Sequence, residues 1–416
     1  MRIVIVGAGA IGLSCAYYAA RAGAEVVVLD KSHPGAGASS HNAGWVVPSL
    51  SEPVPSPAAL RRGLRWALLP DSPLHVRASF DPRFIGFMAR MVRNCSTERF
   101  VRGLQATARL NSGTRNAFDD LERDGLAFEH HRTGVLQAFL HDEEIGAHLC
   151  DLTLMEEYGS PPARELNAAE VRALEPALSS NVQGGILCPG ERFLDPAAFI
   201  VALVRRCLEL GVEFHDGVSV SGIETEGSRA IAVRSDRAWR ADKFVIAAGV
   251  WTREVARSTG LRLPLQAGKG YGFDFSPPPV SIRHAIYLSE RKVAVTPLNN
   301  SVRLAGTMEF GGRNSKISAS RAHALVRAAG EYFVDWPTDR APRPWVGLRP
   351  MTPDGLPLLG VLSRMDNVAI AAGHAMLGIT LAPVSGQLIT EALITGRQPP
   401  ELRAFSPERF RLVGRR

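Results

Sequence analysis

The alternation of apolar and polar positions is clearest in the first thirty residues. An apolar run at 2–6 leads into a turn with three glycines and then into an alanine-rich stretch at 13–23. A second apolar run, Glu25–Leu29, ends in Asp30. The pattern predicts a strand, a helix with one apolar face and a second strand, with no gap between them.

The turn carries a G-x-G-x-x-G motif in the context that dinucleotide binding requires, with a strand before it and a helix after it. Gly7 permits the tight turn, Gly9 lets the backbone approach a pyrophosphate, and Gly12 lets the helix pack against the strand. Asp30 follows Gly12 by 18 residues, near the ~20 expected for an acid that holds a ribose hydroxyl. The motif favours a dinucleotide site over a glycine turn of another α/β protein, and it leaves NAD and FAD both open.

Two later apolar runs also end in glycine. The run at 244–248 ends at Gly249 and the run at 368–372 ends at Gly373, and each is followed by a predicted helix, the second at 379–395. In a doubly wound sheet, strands that end in this way leave space for a ligand at their carboxyl edge.

The remaining pattern predicts a second domain. Residues 262–345 alternate strand-like runs with turns, which indicates an antiparallel sheet. Asp195 and Asn167 have the positions of helix N-caps. The further helices are predicted at 97–126, 142–158, 167–175 and 196–210, and the further strands at 134–140, 212–215, 218–224, 229–234 and 239–240.

Length and charge narrow the function. A chain of 416 residues favours two domains. The net charge of +7 suits acidic ligands or an anionic surface, but it is not concentrated in a run and does not indicate nucleic-acid binding. The densest basic segment, 409–416, is expected to be a solvated tail.

Cysteine use and hydropathy indicate a cytoplasmic protein. The five cysteines have no C-x-x-C spacing, so reduced thiols and no metal site are expected. The first strand begins too early for a signal peptide, and no apolar run is long enough to span a membrane.

Two short segments, 58–69 and 84–93, are basic on one side and apolar on the other. Helices of this kind either pack on the protein core or lie on an anionic membrane. The core is the commoner outcome, and peripheral contact with the inner face of the plasma membrane stays open.

Several motifs together resemble the FAD-dependent D-amino acid oxidase superfamily, and within it the bacterial D-amino acid dehydrogenases. They span nearly the whole chain: the N-terminal fingerprint, 39–44 (Ser-x-x-Asn-Ala-Gly), 184–196, 245–251, 347–360 (Gly-Leu-Arg-Pro, then Asp-Gly) and 373–381 (Gly-His-x-x-Leu-Gly-x-Thr-Leu). The fold implied is α/β, with a Rossmann-like FAD-binding domain and an α+β substrate domain that contains an antiparallel sheet. The FAD-binding domain is expected from 1–75, 190–260 and 346–400, the substrate domain from 76–189 and 261–345, and a basic tail from 401–416.

The resemblance implies FAD as cofactor and places the 39–45 loop beside the isoalloxazine ring. The residues that it implies in cofactor binding are Gly7, Gly9, Ala10, Ile11, Gly12, Asp30, Lys31, Ser39, Ser40, Asn42, Ala43, Gly44, Val218, Ala248, Gly249, Trp251, Arg349, Gly373, His374, Leu377, Gly378, Ile379 and Thr380. His374 has a structural alternative, as a buried imidazole satisfied by its neighbours.

Arg349 is the predicted catalytic and substrate-binding residue, because a planar guanidinium grips a carboxylate through two parallel hydrogen bonds. Its alternative is an ordinary surface residue or an interdomain salt bridge. Tyr271 and Tyr287 are candidates for pocket hydroxyls, or are buried sheet tyrosines. Trp45 either shapes the substrate pocket or fills the core, and Met376 suggests room for an apolar substrate side chain.

The activity implied is oxidative deamination of a D-amino acid, with hydride transfer from Cα to flavin N5 and release of a 2-oxo acid and ammonium. The acceptor implied is a quinone or another respiratory carrier, and oxygen stays open. The alternatives are a secondary-amine enzyme (a D-hydroxyproline dehydrogenase or a sarcosine- or glycine-type oxidase), an NAD-dependent reductase, and a flavin-binding subunit without activity of its own.

Overall fold

A computed structural model describes residues 1–66, 72–77 and 79–410. Its strands are β1 (Arg2–Val6), β2 (Glu25–Leu29), β3 (Trp45–Val46), β4 (Leu74–Val76), β5 (His130–His131), β6 (Val135–Phe139), β7 (Arg164–Asn167), β8 (Gly184–Cys188), β9 (Arg192–Leu194), β10 (Glu213–His215), β11 (Gly222–Glu226), β12 (Arg229–Arg234), β13 (Ala238–Arg240), β14 (Lys243–Ile246), β15 (Gln266–Phe275), β16 (Ala285–Leu288), β17 (Val293–Leu298), β18 (Ser301–Phe310), β19 (Trp345–Met351), β20 (Leu358–Leu362) and β21 (Met365–Ala372).

The described residues also form α-helices. They are α1 (Ala10–Arg21), α2 (Pro57–Trp66), α3 (Pro82–Arg93), α4 (Thr97–Asn111), α5 (Thr114–Arg123), α6 (Ile145–Glu156), α7 (Ala168–Leu174), α8 (Pro196–Glu209), α9 (Thr252–Val255), α10 (Ala319–Tyr332) and α11 (Gly378–Thr395).

The first and last parts of the chain share one sheet. Its strand order is β10-β2-β1-β14-β21-β20, parallel except for the β20–β21 pair. Val4 in β1 is paired with Val27 in β2 on one side and with Phe244 in β14 on the other. Successive strands are added on one side of β1 first (β2, β10) and then on its other side (β14, β21). Doubly wound sheets bind their ligands at this switch point.

The second sheet has nine strands in the order β19-β15-β18-β17-β16-β6-β8-β7, with β4 paired to β18. It is mostly antiparallel, and the β16–β6 and β18–β4 pairs are parallel. α10 packs on one face over a core that includes Phe273, Val295 and Leu325. The predicted α/β class with a second antiparallel sheet is confirmed.

Some elements pack across the predicted segments. β19, within the segment 346–400 predicted for the FAD-binding domain, lies at the end of the large sheet. α4 and α5, within the segment 76–189 predicted for the substrate domain, contribute Leu110 and Phe118 to the core around α1 and α11. These contacts come from pairing and packing between distant segments, which local patterns do not report, and the division into domains stays a prediction.

The predicted helix at 97–126 is two helices, because Gly113 interrupts it between α4 and α5. The predicted strand at 218–224 begins only at Gly222, and Val218 lies in the preceding loop. The predicted caps are confirmed: Asn167 forms a capping box on α7, and the Asp195 carboxylate accepts from the Ala197 amide at 2.8 Å.

Residues 401–410, the described part of the predicted basic tail at 401–416, pack on the core. Of the predicted solvated segment 409–416, only Arg409 and Phe410 lie in the described part. Leu402 and Phe405 are fully buried, and Arg409 forms a two-pronged ion pair with Asp354 at 2.7 and 3.0 Å. The short helices at 400–410 therefore close one end of the core. Residues 411–416 lie outside the described part, as does the end of the predicted 58–69 helix.

Candidate cofactor and substrate cavity

A cavity of about 1300 Å³ lies between the two sheets. One side is formed by the carboxyl ends of β1, β2, β14 and β21, and the other by strands β16–β19 of the large sheet. Segments from both ends of the chain therefore meet residues of the second sheet in a single space.

Glycine is required at the turn after β1. A side chain at Gly7, where φ is +109°, would place its Cβ 2.5 Å from the Ala247 carbonyl oxygen. A Cβ at Gly12 would lie 1.8 Å from the Gly7 carbonyl oxygen. Gly7 lines the cavity with Gly9, Ala10 and Ile11, whereas Gly12 lies behind the wall and permits the close packing.

The Asp30 side chain organises the same corner. Its carboxylate accepts the Ala8 amide at 2.8 Å and the Ser32 amide at 2.9 Å, while lining the cavity. The Ser39 hydroxyl accepts the Ala10 amide at 2.9 Å. These bonds tie the glycine turn to the end of β2 and to the 39–44 loop.

Lys31 and Trp251 form the far end of the cavity, where Val218 also lies. The Lys31 ammonium is 3.1 Å from the centroid of the Trp251 ring, a cation–π contact. Burial lowers the pKa of Lys31, against the opposing effect of Asp30. The Val218 amide donates to the Asp30 carbonyl oxygen at 2.8 Å and holds the loop in place.

Asn42 organises the loop at 39–44. Its side-chain amide donates to the carbonyl oxygens of Ala38 at 3.0 Å and Ser39 at 2.7 Å, and its oxygen accepts the Gly44 amide at 2.7 Å. A Cβ at Gly44, where φ is +74°, would lie 2.1 Å from the Leu194 carbonyl oxygen. The loop is thus fixed by its own side chains, and it presents Ala43 and Gly44 to the cavity.

The start of α11 forms the opposite wall, with Leu377, Gly378 and Ile379. His374 precedes it and is 3% exposed, with Nε2 3.1 Å from the Ser385 hydroxyl. Burial lowers the pKa of His374 to about 3, so the imidazole is neutral at physiological pH. Within the described residues, its Nδ1 has no hydrogen-bond partner.

These features fit an FAD molecule. The glycine turn offers backbone approach at a helix N-terminus, which suits a pyrophosphate. His374 Nδ1 is a buried polar atom that lacks a partner, and such atoms are rare unless a ligand or water satisfies them. The N-terminus of α11 adds a positive dipole end to the same wall.

Ala248 and Gly249, after β14, also line the cavity. Three predicted cofactor residues besides Gly12 lie outside its wall: Ser40, Gly373 and Thr380. Thr380 has a positioning role instead, because its hydroxyl donates to the Trp45 carbonyl oxygen at 3.0 Å and accepts the Val47 amide at 3.2 Å.

Arg349 projects from β19 into the cavity wall. A Cβ at Gly270 would lie 2.4–2.6 Å from the guanidinium atoms, so the missing side chain of Gly270 makes their position possible. Nη1 donates to the Thr307 carbonyl oxygen. Thr307 has φ +65° beside a bulge in the β15–β18 pairing, and this irregularity sits next to the guanidinium.

No carboxylate of the described residues forms an ion pair with Arg349. Burial lowers the pKa of Arg349 to about 10, partly offset by Tyr287, and the side chain remains cationic. A half-buried cation that lines a cavity and has no protein counter-charge is suited to an anionic ligand. Among the described residues Arg349 therefore has no carboxylate partner for the alternative role in an interdomain salt bridge.

Tyr287 and Trp45 lie together in the wall, with ring centroids 5.8 Å apart in an edge-to-face arrangement. Trp45 Nε1 donates to the Thr296 hydroxyl at 2.8 Å, and that hydroxyl donates to the Ala43 carbonyl oxygen at 2.8 Å. Trp45 is therefore held in one orientation between the loop and the large sheet. Met376 is 55% exposed and lies at the rim of the cavity.

The structure places Tyr271 outside the cavity wall, which favours the alternative of a buried sheet tyrosine over a pocket hydroxyl. Its ring is fully buried on the other face of β15, and its hydroxyl donates to Glu309 at 2.7 Å. Side chains alternate along a strand, so Tyr271 points away from the face on which Gly270 leaves room for Arg349.

The cavity wall also contains residues that sequence reasoning missed, namely Gln137, Lys292, Thr307, Met308 and Trp345. The Lys292 ammonium is 5.4 Å from the Tyr287 ring centroid. The sequence feature that could have indicated this wall is the Gly-x-Gly-x-Gly run at 268–272. Three glycines on one face of a strand mark a place where other groups approach the backbone closely. Among the described residues, no group of three His, Cys, Asp or Glu side chains could hold a metal ion.

Comparison with known proteins agrees with this geometry. Residues 2–392 match the model of the family described as FAD dependent oxidoreductase. The chain belongs to this family. As an FAD dependent oxidoreductase it uses FAD as its cofactor, and the predicted recognition, enzyme class and cofactor are confirmed.

Similar proteins cover almost the whole chain. A protein named D-amino acid dehydrogenase from Methylobacterium nodulans is 35% identical over 412 residues, or 96% of each chain. Another of that name from Methylobacterium sp. (strain 4-46) is 34% identical over 425 residues, or 99% of each. The crystal structure of glycine oxidase from Geobacillus kaustophilus has a TM-score of 0.76 at 23% identity, covering 99% of this chain and 100% of its own. At this identity, the similarity to glycine oxidase concerns the fold alone.

Proposed function

We propose that this flavoprotein oxidises D-amino acids, with Arg349 binding the substrate carboxylate. The observation that carries the proposal is a half-buried arginine in the cavity wall with no carboxylate partner among the described residues. The printed names of the relatives from Methylobacterium support the substrate class.

The residues of the chain would orient the substrate between the two sheets. Arg349 binds the carboxylate end, and the Thr307 carbonyl oxygen holds the guanidinium in place by accepting from its Nη1. Trp45 and Tyr287 border the space next to the 39–44 loop. Bound FAD supplies the acceptor for the hydride that leaves Cα. The resulting imino acid is hydrolysed by water to a 2-oxo acid and ammonium, and no protein side chain is needed as nucleophile.

A substrate panel tests the proposal. The purified holoprotein is given D- and L-amino acids, D-proline, cis-4-hydroxy-D-proline, sarcosine and glycine, with an artificial dye as acceptor. We expect turnover of primary D-amino acids with release of ammonium. Turnover restricted to sarcosine or the proline derivatives would instead establish a secondary-amine enzyme, and absence of all turnover would refute both.

Replacement of Arg349 tests its role separately. We expect Arg349→Met to retain FAD and to raise the KM for D-amino acids, since a charge-assisted hydrogen bond contributes about 1.5–3 kcal/mol. Arg349→Lys keeps the positive charge but not the planar guanidinium, so its KM should lie between those of wild type and Arg349→Met. The exposed Arg343 gives the matched control Arg343→Met. An unchanged KM in Arg349→Met would exclude the carboxylate role.

We also propose that the electron acceptor is a quinone or another respiratory carrier, reached through peripheral contact with a membrane. The relatives are named dehydrogenases, which supports an acceptor other than oxygen. Among the helices that the structure describes, none combines the length and apolar character needed to cross a bilayer. Oxygen uptake and reduction of a quinone analogue, measured with the same D-amino acid, distinguish the two acceptors.

A further inference from the structure

The 39–44 loop is held in place by side chains of the large sheet. Arg303 Nη1 donates to the Asn42 carbonyl oxygen at 3.0 Å, and the Thr296 hydroxyl donates to the Ala43 carbonyl oxygen at 2.8 Å. Asn42 and Ala43 line the cavity, whereas Arg303 and Thr296 do not. The two side chains therefore support the loop from behind the cavity wall.

The supporting side chains form a row across three strands. Arg303 in β18 is paired with Asp274 in β15 and with Thr296 in β17. Side chains of directly opposite residues lie on the same face of a sheet, so the three are neighbours. The Asp274 carboxylate accepts from Arg303 Nε at 2.6 Å and from Nη2 at 3.2 Å. This two-pronged pair orients the guanidinium, and Nη1 remains for the loop, where it also lies 3.4 Å from the Ser40 carbonyl oxygen.

Arg303 also supports a second part of the cavity wall. It is 7% exposed, and its guanidinium carbon lies 5.5 Å from the centroid of the Trp345 ring. Trp345 lines the cavity. The missing side chain of Gly272 gives the ring its space, because a Cβ there would lie 2.1 Å from a ring atom. Loss of the guanidinium would therefore loosen both the loop and the ring.

The loop joins the two ends of the cavity. At one end the Ser39 hydroxyl accepts the Ala10 amide of the glycine turn at 2.9 Å. At the other end Trp45 Nε1 donates to the Thr296 hydroxyl, and the Trp45 ring lies against Tyr287. A cofactor bound along the glycine turn is therefore placed relative to the substrate space by a loop whose position the large sheet sets.

We propose that Arg303 is a positioning residue: with Asp274 and Thr296 it holds the 39–44 loop so that bound FAD lies in register with a substrate at Arg349. These three residues are called the loop clamp below. Its effect on the reduction of FAD by substrate rests on the proposed function, whereas its effect on FAD retention does not.

Anaerobic stopped-flow reduction of the holoprotein by a D-amino acid tests the loop clamp, because it separates the limiting rate of flavin reduction from the dissociation constant of the substrate. Arg303→Lys keeps the charge but loses the planar fork that bonds Asp274 and the loop together. We expect its limiting rate to fall at least about tenfold, since a misplacement of about 1 Å can cost about 100-fold. Its substrate dissociation constant should stay near that of wild type, which is the reverse of the change expected for Arg349→Met.

Asp274→Asn grades the same effect. The carboxamide oxygen still accepts one of the two bonds from Arg303, so the limiting rate should lie between those of wild type and Arg303→Lys. A limiting rate below that of Arg303→Lys would contradict the assigned role of Asp274 as the group that orients the guanidinium.

Arg409 offers a matched control. It has the same kind of two-pronged pair, with Asp354, and its Nη1 donates to the carbonyl oxygens of Phe405 and Ser406 at 3.0 and 3.1 Å. It does not line the cavity. Arg409→Lys should retain the wild-type limiting rate, and thermal unfolding compares the loss of stability in the two variants. A wild-type limiting rate in folded, FAD-loaded Arg303→Lys would overturn the proposal, as would an equal fall of the rate in Arg409→Lys.

FAD retention tests the loop clamp without a substrate. Release of FAD from the diluted holoprotein, followed by flavin fluorescence, should be about tenfold faster in Arg303→Lys, as expected for loss of one hydrogen bond from a charged group. Release at the wild-type rate would overturn the proposal. If no D-amino acid reduces any form while Arg303→Lys releases FAD faster, the proposed function fails and the loop clamp stands.

Discussion

The absent side chain of Gly270 gives a sharp test of the substrate site. An alanine at this position would place Cβ 2.4–2.6 Å from Nη2, Cζ and Nη1 of Arg349. The contact must open by about 1 Å to reach ordinary van der Waals distance. Because the obstructing atoms are the end of a flexible side chain, the guanidinium should move while the strand keeps its place.

Displacement of the guanidinium weakens its two-pronged grip on a carboxylate. Loss of about 1.5–3 kcal/mol predicts a KM for D-amino acids about 10- to 150-fold higher in Gly270→Ala. Steady-state kinetics with a dye acceptor measure this change, and flavin absorbance and thermal unfolding report retention of FAD and fold. Gly86 in α3 has no atom within 4 Å of its hypothetical Cβ, so Gly86→Ala is the control. A wild-type KM in a folded, flavin-loaded Gly270→Ala protein would refute the assigned position of the carboxylate.

Two further predictions concern cofactor retention and pH. Gly12→Ala should yield a protein without bound FAD, because the new Cβ would lie 1.8 Å from the Gly7 carbonyl oxygen; the flavin-to-protein absorbance ratio measures this, and full loading would contradict it. Burial raises the pKa of Glu191 from 4.5 to about 7, although Ser49 donates to it through its hydroxyl at 2.5 Å and its amide at 3.1 Å. As pH rises, the Glu191 carboxyl ionises in the unfolded chain before it ionises in the folded protein. This difference lowers the free energy of unfolding progressively between about pH 4.5 and 7, by about 3 kcal/mol in total once the pH is above 7. The melting temperature of Glu191→Gln should therefore fall less than that of wild type when the pH is raised from about 5 to 8. An identical pH dependence of the two melting temperatures would refute the raised pKa of Glu191.

Elements that depend on neighbouring residues could be predicted from the sequence. The turn at Gly7–Gly12 and the capped helices α7 and α8 were found because their signals lie within a few residues. The strand before Gly249 and the helix after Gly373 were found for the same reason. The turn, the end of the strand before Gly249 and the start of the helix after Gly373 each supply part of the cavity wall.

Features that depend on pairing between distant strands could not be predicted. Thr307 adopts its unusual backbone beside a bulge in the β15–β18 pair, and nothing in its immediate sequence marks it. Lys292 reaches the cavity only because β17 lies between β16 and β18. The two alternatives for Tyr271 stayed open because the face of β15 that lines the cavity depends on the neighbouring strands. The glycines at 270 and 272 are the sequence feature that marks the other face.

The order of strands in the parallel sheet has a consequence for synthesis of the protein. β1 requires β14 as a partner, which is made about 240 residues later, and β14 in turn pairs with β21. At about 5–20 residues per second, the first strand waits on the order of 10–50 s on the ribosome for its second neighbour. A nascent chain released from translation before His374 has emerged would lack one wall of the cavity, so the cofactor is expected to be acquired only near the end of synthesis.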